Sequence, residues 1–141
     1  LIMHTPAPPK VARRGATYPD ILETLRAFFT EKIALAEAAG LDRDQIILDP
    51  GIDFGKEAAD NLTIYRHCEA LIELGCPILL PVSRKTVIGD TLGIPDPRDR
   101  DPGTVASIVR GTAAGARIFR VHNVPAAVAA TQVAIGVLES G

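Results

Sequence analysis

Two rhythms of apolar and polar residues run along this chain. Four short, largely apolar runs, Leu1–His4, Ile46–Leu48, Ile78–Leu80 and Arg117–Val121, give way to charged, hydroxyl or glycine residues. Buried parallel strands look like this when they deliver polar side chains at their carboxyl ends. Between them the apolar spacing turns helical. Pro19 and Asp20 suit a helix start, Ile21, Leu22, Leu25, Phe28, Phe29, Ile33 and Ala36 mark its buried face, and Gly40 is a stop. A second helix is predicted from Asn61 to near Leu74, with Leu62, Tyr65, Cys68, Leu71 and Ile72 inward and Gly75 closing it. Thr104 is placed to cap a third, running to near Ala114. Pro125 opens a last helix, carried by Val128, Val133, Ile135 and Val137 to near Glu139. Thr5–Tyr18, rich in Pro, Ala and Arg, reads as a loop. Thr86–Gly103, with three prolines and the charged run Arg98–Asp101, reads as the longest irregular segment. A loop of that length in a compact domain is usually functional or mobile.

Strands alternating with helices predict an α/β fold with a parallel sheet and right-handed crossovers. The chain has neither a GxGxxG nor a P-loop, which argues against a nucleotide-binding doubly wound sheet. Four βα units are half of a (β/α)₈ TIM barrel, a fold of about 250 residues. The expectation is therefore a half-barrel, with residues 1–141 a single partial domain. Such a half-barrel would leave raw sheet edges and an exposed apolar face.

Composition narrows the partners. Apolar residues make up 47% of the chain, enough for a core, and the net charge of −2 is interspersed. With no basic footprint and no Trp, no nucleic-acid partner is expected. No apolar run approaches the roughly 18 residues of a membrane helix, so no membrane partner is expected. Cys68 and Cys76 lack metal-type spacing and read as buried thiols in a reducing cytoplasm, the expected location. No metal ligands are assigned to this chain.

The strand ends supply the candidate chemistry. Asp49 precedes Pro50-Gly51, and it is either a turn former or a carboxylate that accepts paired N–H donors from a guanidine-like edge. Ser83-Arg84-Lys85 follows Ile78–Val82 directly, and Lys85 is the residue expected to reach substrate, with Arg84 turned the other way as a structural residue. Arg120 and His122 share a face by period-two alternation and suit a phosphate-type anion. Phe54, in a Gly-bounded loop, either covers a flat ligand or packs, and Lys56 and Asn61 flank the second helix. His67 is expected on a helix surface.

These segments together resemble the carboxyl-terminal half of the dihydropteroate synthase family. The likeness lies in Leu1–His4, LDPGIDFGK at 48–56 with Asn61 five residues on, SRKTVIG at 83–89, Gly103-Thr104 and RVHNV at 120–124. The resemblance implies a transferase of folate biosynthesis, joining 6-hydroxymethyl-7,8-dihydropterin diphosphate to 4-aminobenzoate and releasing diphosphate. It implies that Asp49 holds the pterin's amino edge, with Met3 lining the slot. Lys85 would contact the pterin and the arylamine side, Ser83 and Phe54 the aminobenzoate, and Arg120 and His122 the diphosphate, with Arg120 also lying against the pterin. Lys85, Arg120 and His122 are the implied catalytic residues. Mg²⁺ is implied, with ligands largely in the amino-terminal half, and so is a homodimer at full length. A pterin-dependent methyltransferase and a catalytically degenerate pterin-binding paralogue are the alternatives. Three residues depart from the family pattern: Pro81 and Asp53 stand where Gly is usual, and Asn123 where an acid is usual. The 141 residues alone are expected to be inactive.

Overall fold

The computed structural model describes residues 1–6 and 16–140. Most of the loop expected at Thr5–Tyr18 lies outside them. Strand β1 (Ile2–Met3) leads to helix α1 (Ile21–Ala38), a 3₁₀ turn at Arg43–Gln45 and β2 (Leu48–Asp49). Helices α2 (Ala58–Arg66) and α3 (Glu69–Ile72) precede β3 (Leu79–Leu80). Helix α4 (Thr86–Leu92), a 3₁₀ turn at Pro97–Arg100, α5 (Asp101–Ala113), β4 (Ile118–Phe119) and α6 (Val124–Glu139) complete the order.

The strands are short but all their pairings are parallel. β1 pairs with β2 in the register Met3 to Asp49, and β3 with β4 in the register Leu80 to Phe119. One bridge, Leu48 to Ile78, joins the pairs, so spatial order follows chain order. Parallel neighbours in register share a face. Leu48, Ile78 and Leu80 therefore face the helices and are fully buried. Met3, Asp49, Leu79 and Ile118 face the other side, where burial is incomplete except at Asp49. The α/β expectation is met.

Helix α1 forms where the spacing predicts it. The Asp20 carboxylate accepts the N–H groups of Leu22 (2.9 Å) and Glu23 (3.0 Å), satisfying two orphan donors of the first turn. Ile21, Leu25, Phe29 and Ile33 are buried on one stripe, and each such side chain contributes about 1.5–3 kcal/mol of burial.

Four expectations are corrected. The second helix starts at Ala58 and breaks at His67-Cys68, leaving Leu62 exposed rather than inward. The segment 86–103 is not irregular, because Thr86–Leu92 is helical and Gly93 ends it with φ +69°. Its two turns are too short to show a period. Its interior Gly89 is required by space, since a Cβ there would strike the Arg100 guanidinium. Helix α5 begins at Asp101 with Pro102 in its first turn, so Thr104 is inside the helix and not its cap. Helix α6 buries Ala127, Ala130 and Ala134 and turns Val128, Val133, Ile135 and Val137 outward. The alanines form the face that meets α5, and the large residues are exposed on either side of it. Cys68 and Cys76 are buried free thiols. No helix among the described residues is long and apolar enough to cross a membrane.

Candidate functional site

The loops leaving the carboxyl ends of the four strands are stitched together in order. The first stitch joins β1 to the loop after β2. The Lys56 ammonium meets His4 Nδ1 at 3.0 Å, Gly51 O at 3.0 Å and Phe54 O at 3.2 Å. Three donors find three acceptors. His4 Nδ1 must then be the unprotonated nitrogen of a neutral ring. Burial, with Lys56 beside it, pushes His4 down to about 4, and burial pushes Lys56 down to about 8. The turn is tight. Gly51 has φ +67°, and a Cβ there would collide with the His4 carbonyl.

The second stitch joins the β2 loop to the β3 loop. Lys85 Nζ donates to Ile52 O at 2.8 Å and lies 5.0 Å from the Phe54 ring centroid. Phe54 is 43% exposed, so its ring is a surface over which a flat ligand can lie. Asp53 accepts the N–H groups of Thr86 (2.5 Å) and Val87 (3.2 Å).

The third stitch joins the β3 loop to β4. The His122 N–H donates to Ser83 Oγ at 3.1 Å, and the same oxygen lies 2.7 Å from His122 Nδ1. Ser83 therefore holds both the backbone and the ring of His122.

Asp49 lies on the side of the sheet shared by Met3, its register partner. It is 3% exposed. Its Oδ1 accepts the Gly51 N–H at 2.7 Å, leaving Oδ2 for a ligand. Burial raises its pKa, opposed by that N–H and by the charges of Lys85, Arg120 and Lys56. Lys85 is lowered by burial and by Arg120, opposed by Asp53 and Asp49. The carboxylate and three cations therefore act on one another within a single site. Arg120 is exposed, and its N–H to Leu80 O (3.3 Å) extends the β3–β4 ladder by one bond. His122 is exposed beside it.

The site residues named from the sequence stand at the carboxyl ends of the strands and in the loops that leave them. Ser83 turns its hydroxyl to His122. Arg84 points away: at φ +58° its guanidinium holds the Asp101 carboxylate at 2.8 and 3.2 Å, and its N–H donates to Thr104 Oγ1 at 3.0 Å. Sequence reasoning missed the frame behind them. Arg100, 8% exposed, donates to four carbonyls, those of Arg84, Lys85, Ile94 and Pro95. Asn123 caps α6 through Ala126 N–H (3.2 Å) and donates to Asp101 Oδ2 (3.2 Å), so an acid at 123 would face Asp101 as a like charge. The charged run Arg98–Asp101 was the available signal, and the sequence places it only within an irregular segment. Among the described residues no group of three or more His, Cys, Asp or Glu side chains assembles a metal site.

Comparison with known proteins places this geometry. The pterin binding enzyme family matches residues 1–122, and the chain belongs to that family. A dihydropteroate synthase of Synechocystis sp. is 42% identical over 126 residues, covering 89% of this chain and 44% of the relative. An inactive dihydropteroate synthase 2 of Mycobacterium tuberculosis is 39% identical over 112 residues, covering 79% of this chain and 35% of its own. The structure of Xanthomonas albilineans dihydropteroate synthase with 4-aminobenzoic acid superposes with a TM-score of 0.91 at 37% identity, over 99% of this chain and 51% of that one. The chain spans about half the length of the relatives it matches.

Proposed function

We propose that these residues form the carboxyl-terminal half of a (β/α)₈ dihydropteroate synthase acting in the cytoplasm as a homodimer. The carrying observation is one buried carboxylate, Asp49, in the field of Lys85, Arg120 and Lys56, with Ser83 and His122 at the neighbouring strand ends. A flat heterocycle with an amino edge satisfies the carboxylate. A diphosphate satisfies Arg120 and His122. An arylamine lies by Phe54 and Lys85. Met3 lines the slot beside Asp49.

On this reading Asp49 accepts the pterin's paired N–H donors, and Lys85 donates to its carbonyl or ring nitrogen. The methylene–oxygen bond breaks, and its electron pair leaves with diphosphate. Arg120 and His122 stabilise the departing charge, the largest physical lever of such a site. The aminobenzoate nitrogen then forms the new C–N bond and loses a proton. Mg²⁺ would offset diphosphate charge, but the described residues hold no ligand set for it, and no step here rests on it. The test is formation of 7,8-dihydropteroate from the two substrates by the full-length protein, abolished by Lys85→Ala.

A second reading is a pterin-binding paralogue without catalysis. It is favoured by Pro81, Asp53 and Asn123 and by the likeness to a relative described as inactive. Pterin binding without product formation would select it.

A further inference from the structure

We infer that Asp53 is a positioning residue, clipping the loop after β2 onto the first turn of α4 so that Lys85 and Phe54 hold one arrangement at the arylamine side of the site. The inference rests on the functional reading above for its substrate. Its geometry stands independently.

The residues touch in an interleaved order. Ile52, just before Asp53, receives the Lys85 ammonium at 2.8 Å. Phe54, just after it, presents its ring to the same ammonium at 5.0 Å. The Asp53 carboxylate takes the N–H groups of Thr86 and Val87, the two residues after Lys85. Each loop therefore grips the other from both sides of one residue.

The clip is anchored behind. Asp53 N–H donates to Asn61 Oδ1 at 3.0 Å, and Asn61 Nδ2 returns to Asp53 Oδ1 at 3.3 Å. Asn61 is 1% exposed and also donates to Glu57 O at 3.0 Å, fixing it to α2. The first turn of α4 has no other side-chain cap, since Lys85 at the capping position provides none. Without Asp53, those two amides lose their acceptor. The backbone here is left-handed, φ +68°, a region that Asp tolerates better than most residues and Gly best of all. Glycine at 53 would keep the turn and lose the clip. Asp53 also offsets the effect of burial on Lys85, favouring its ammonium form.

The test compares full-length wild type, Asp53→Gly and Asp53→Asn by three readouts. Amide exchange at Thr86 and Val87 should quicken about tenfold or more in Asp53→Gly, the effect of removing charged acceptors. Acylation of Lys85, followed by mass spectrometry, should change rate as the ammonium loses its fixed place. KM for 4-aminobenzoate should rise about 5- to 30-fold, because the ring and the ammonium lose their fixed arrangement. Asp53→Asn, which keeps one acceptor, should recover most of each effect. Unchanged exchange and unchanged Lys85 reactivity in Asp53→Gly overturn the clip, whatever the substrate. Altered exchange with KM for 4-aminobenzoate unchanged overturns the positioning role. If wild type forms no dihydropteroate, the functional reading fails, and exchange with Lys85 reactivity still decides the clip.

Discussion

The two ends of the site are built differently. Around Asp49 the loop is braced at each turn: Gly51 N–H on the carboxylate, Lys56 on three acceptors, Lys85 on Ile52, and Asp53 on α4. Around Arg120 and His122 the side chains are exposed, and the one hydrogen bond the described structure gives their polar side-chain groups joins His122 Nδ1 and Ser83 Oγ. A buried, preformed end suits a ligand that must be told apart from others, because an unmatched partner leaves a buried charge unpaired. An open, lightly held end suits a group that has to leave.

The largest effect should come from the braced end. Asp49→Asn puts an amide where a carboxylate is needed and should weaken binding of a diphosphate-free pterin by about 3 kcal/mol, over a hundredfold. Since burial already penalises that charge, the unfolding free energy should hold or rise. Titration calorimetry and urea unfolding separate the two. A loss of stability with binding intact would reverse the assignment of that end.

The next effect is acid sensitivity. His4 is neutral in the fold, its pKa pushed down to about 4 from 6.5. The unfolded chain therefore binds the extra proton first. Stability is full above pH 6.5 and falls toward pH 4, by an amount on the order of 3 kcal/mol. His4→Gln, which keeps an acceptor for Lys56, should flatten that limb in urea unfolding across pH 4–7. An equally steep limb in the variant would place the acid-labile group elsewhere.

The smallest effect belongs to the open end. Ser83→Ala frees the His122 ring and should reduce diphosphate affinity by about 1 kcal/mol, the worth of one hydrogen bond. Pterin affinity should not move. A larger loss of pterin than of diphosphate would mean that Ser83 serves the ring side.

Much of this was legible in the chain. Asp49, Ser83, Lys85, Arg120 and His122 stand out because short apolar runs stop at them, and α1 because its stripe is long and regular. Helix α4 was hidden because seven residues with an interior Gly89 carry no readable period. The face of α6 was misread because its buried residues are alanines, while its large ones point outward. The braces were invisible for another reason. Asp53 meets Thr86 across 33 residues and Arg84 meets Asp101 across 17, and such pairings exist only once the loops are brought together.

The contrast between the two ends is tested most directly at Arg120. Pterin diphosphate and diphosphate-free pterin are titrated calorimetrically into full-length wild type and Arg120→Ala. The account predicts a loss of about 1.5–3 kcal/mol for the diphosphate form, the range of a charged hydrogen bond, and a clearly smaller loss for the bare pterin, which Asp49 and Lys85 still hold. Equal losses for the two ligands would contradict it, and would make Arg120 a residue of the ring or the fold rather than of the leaving group.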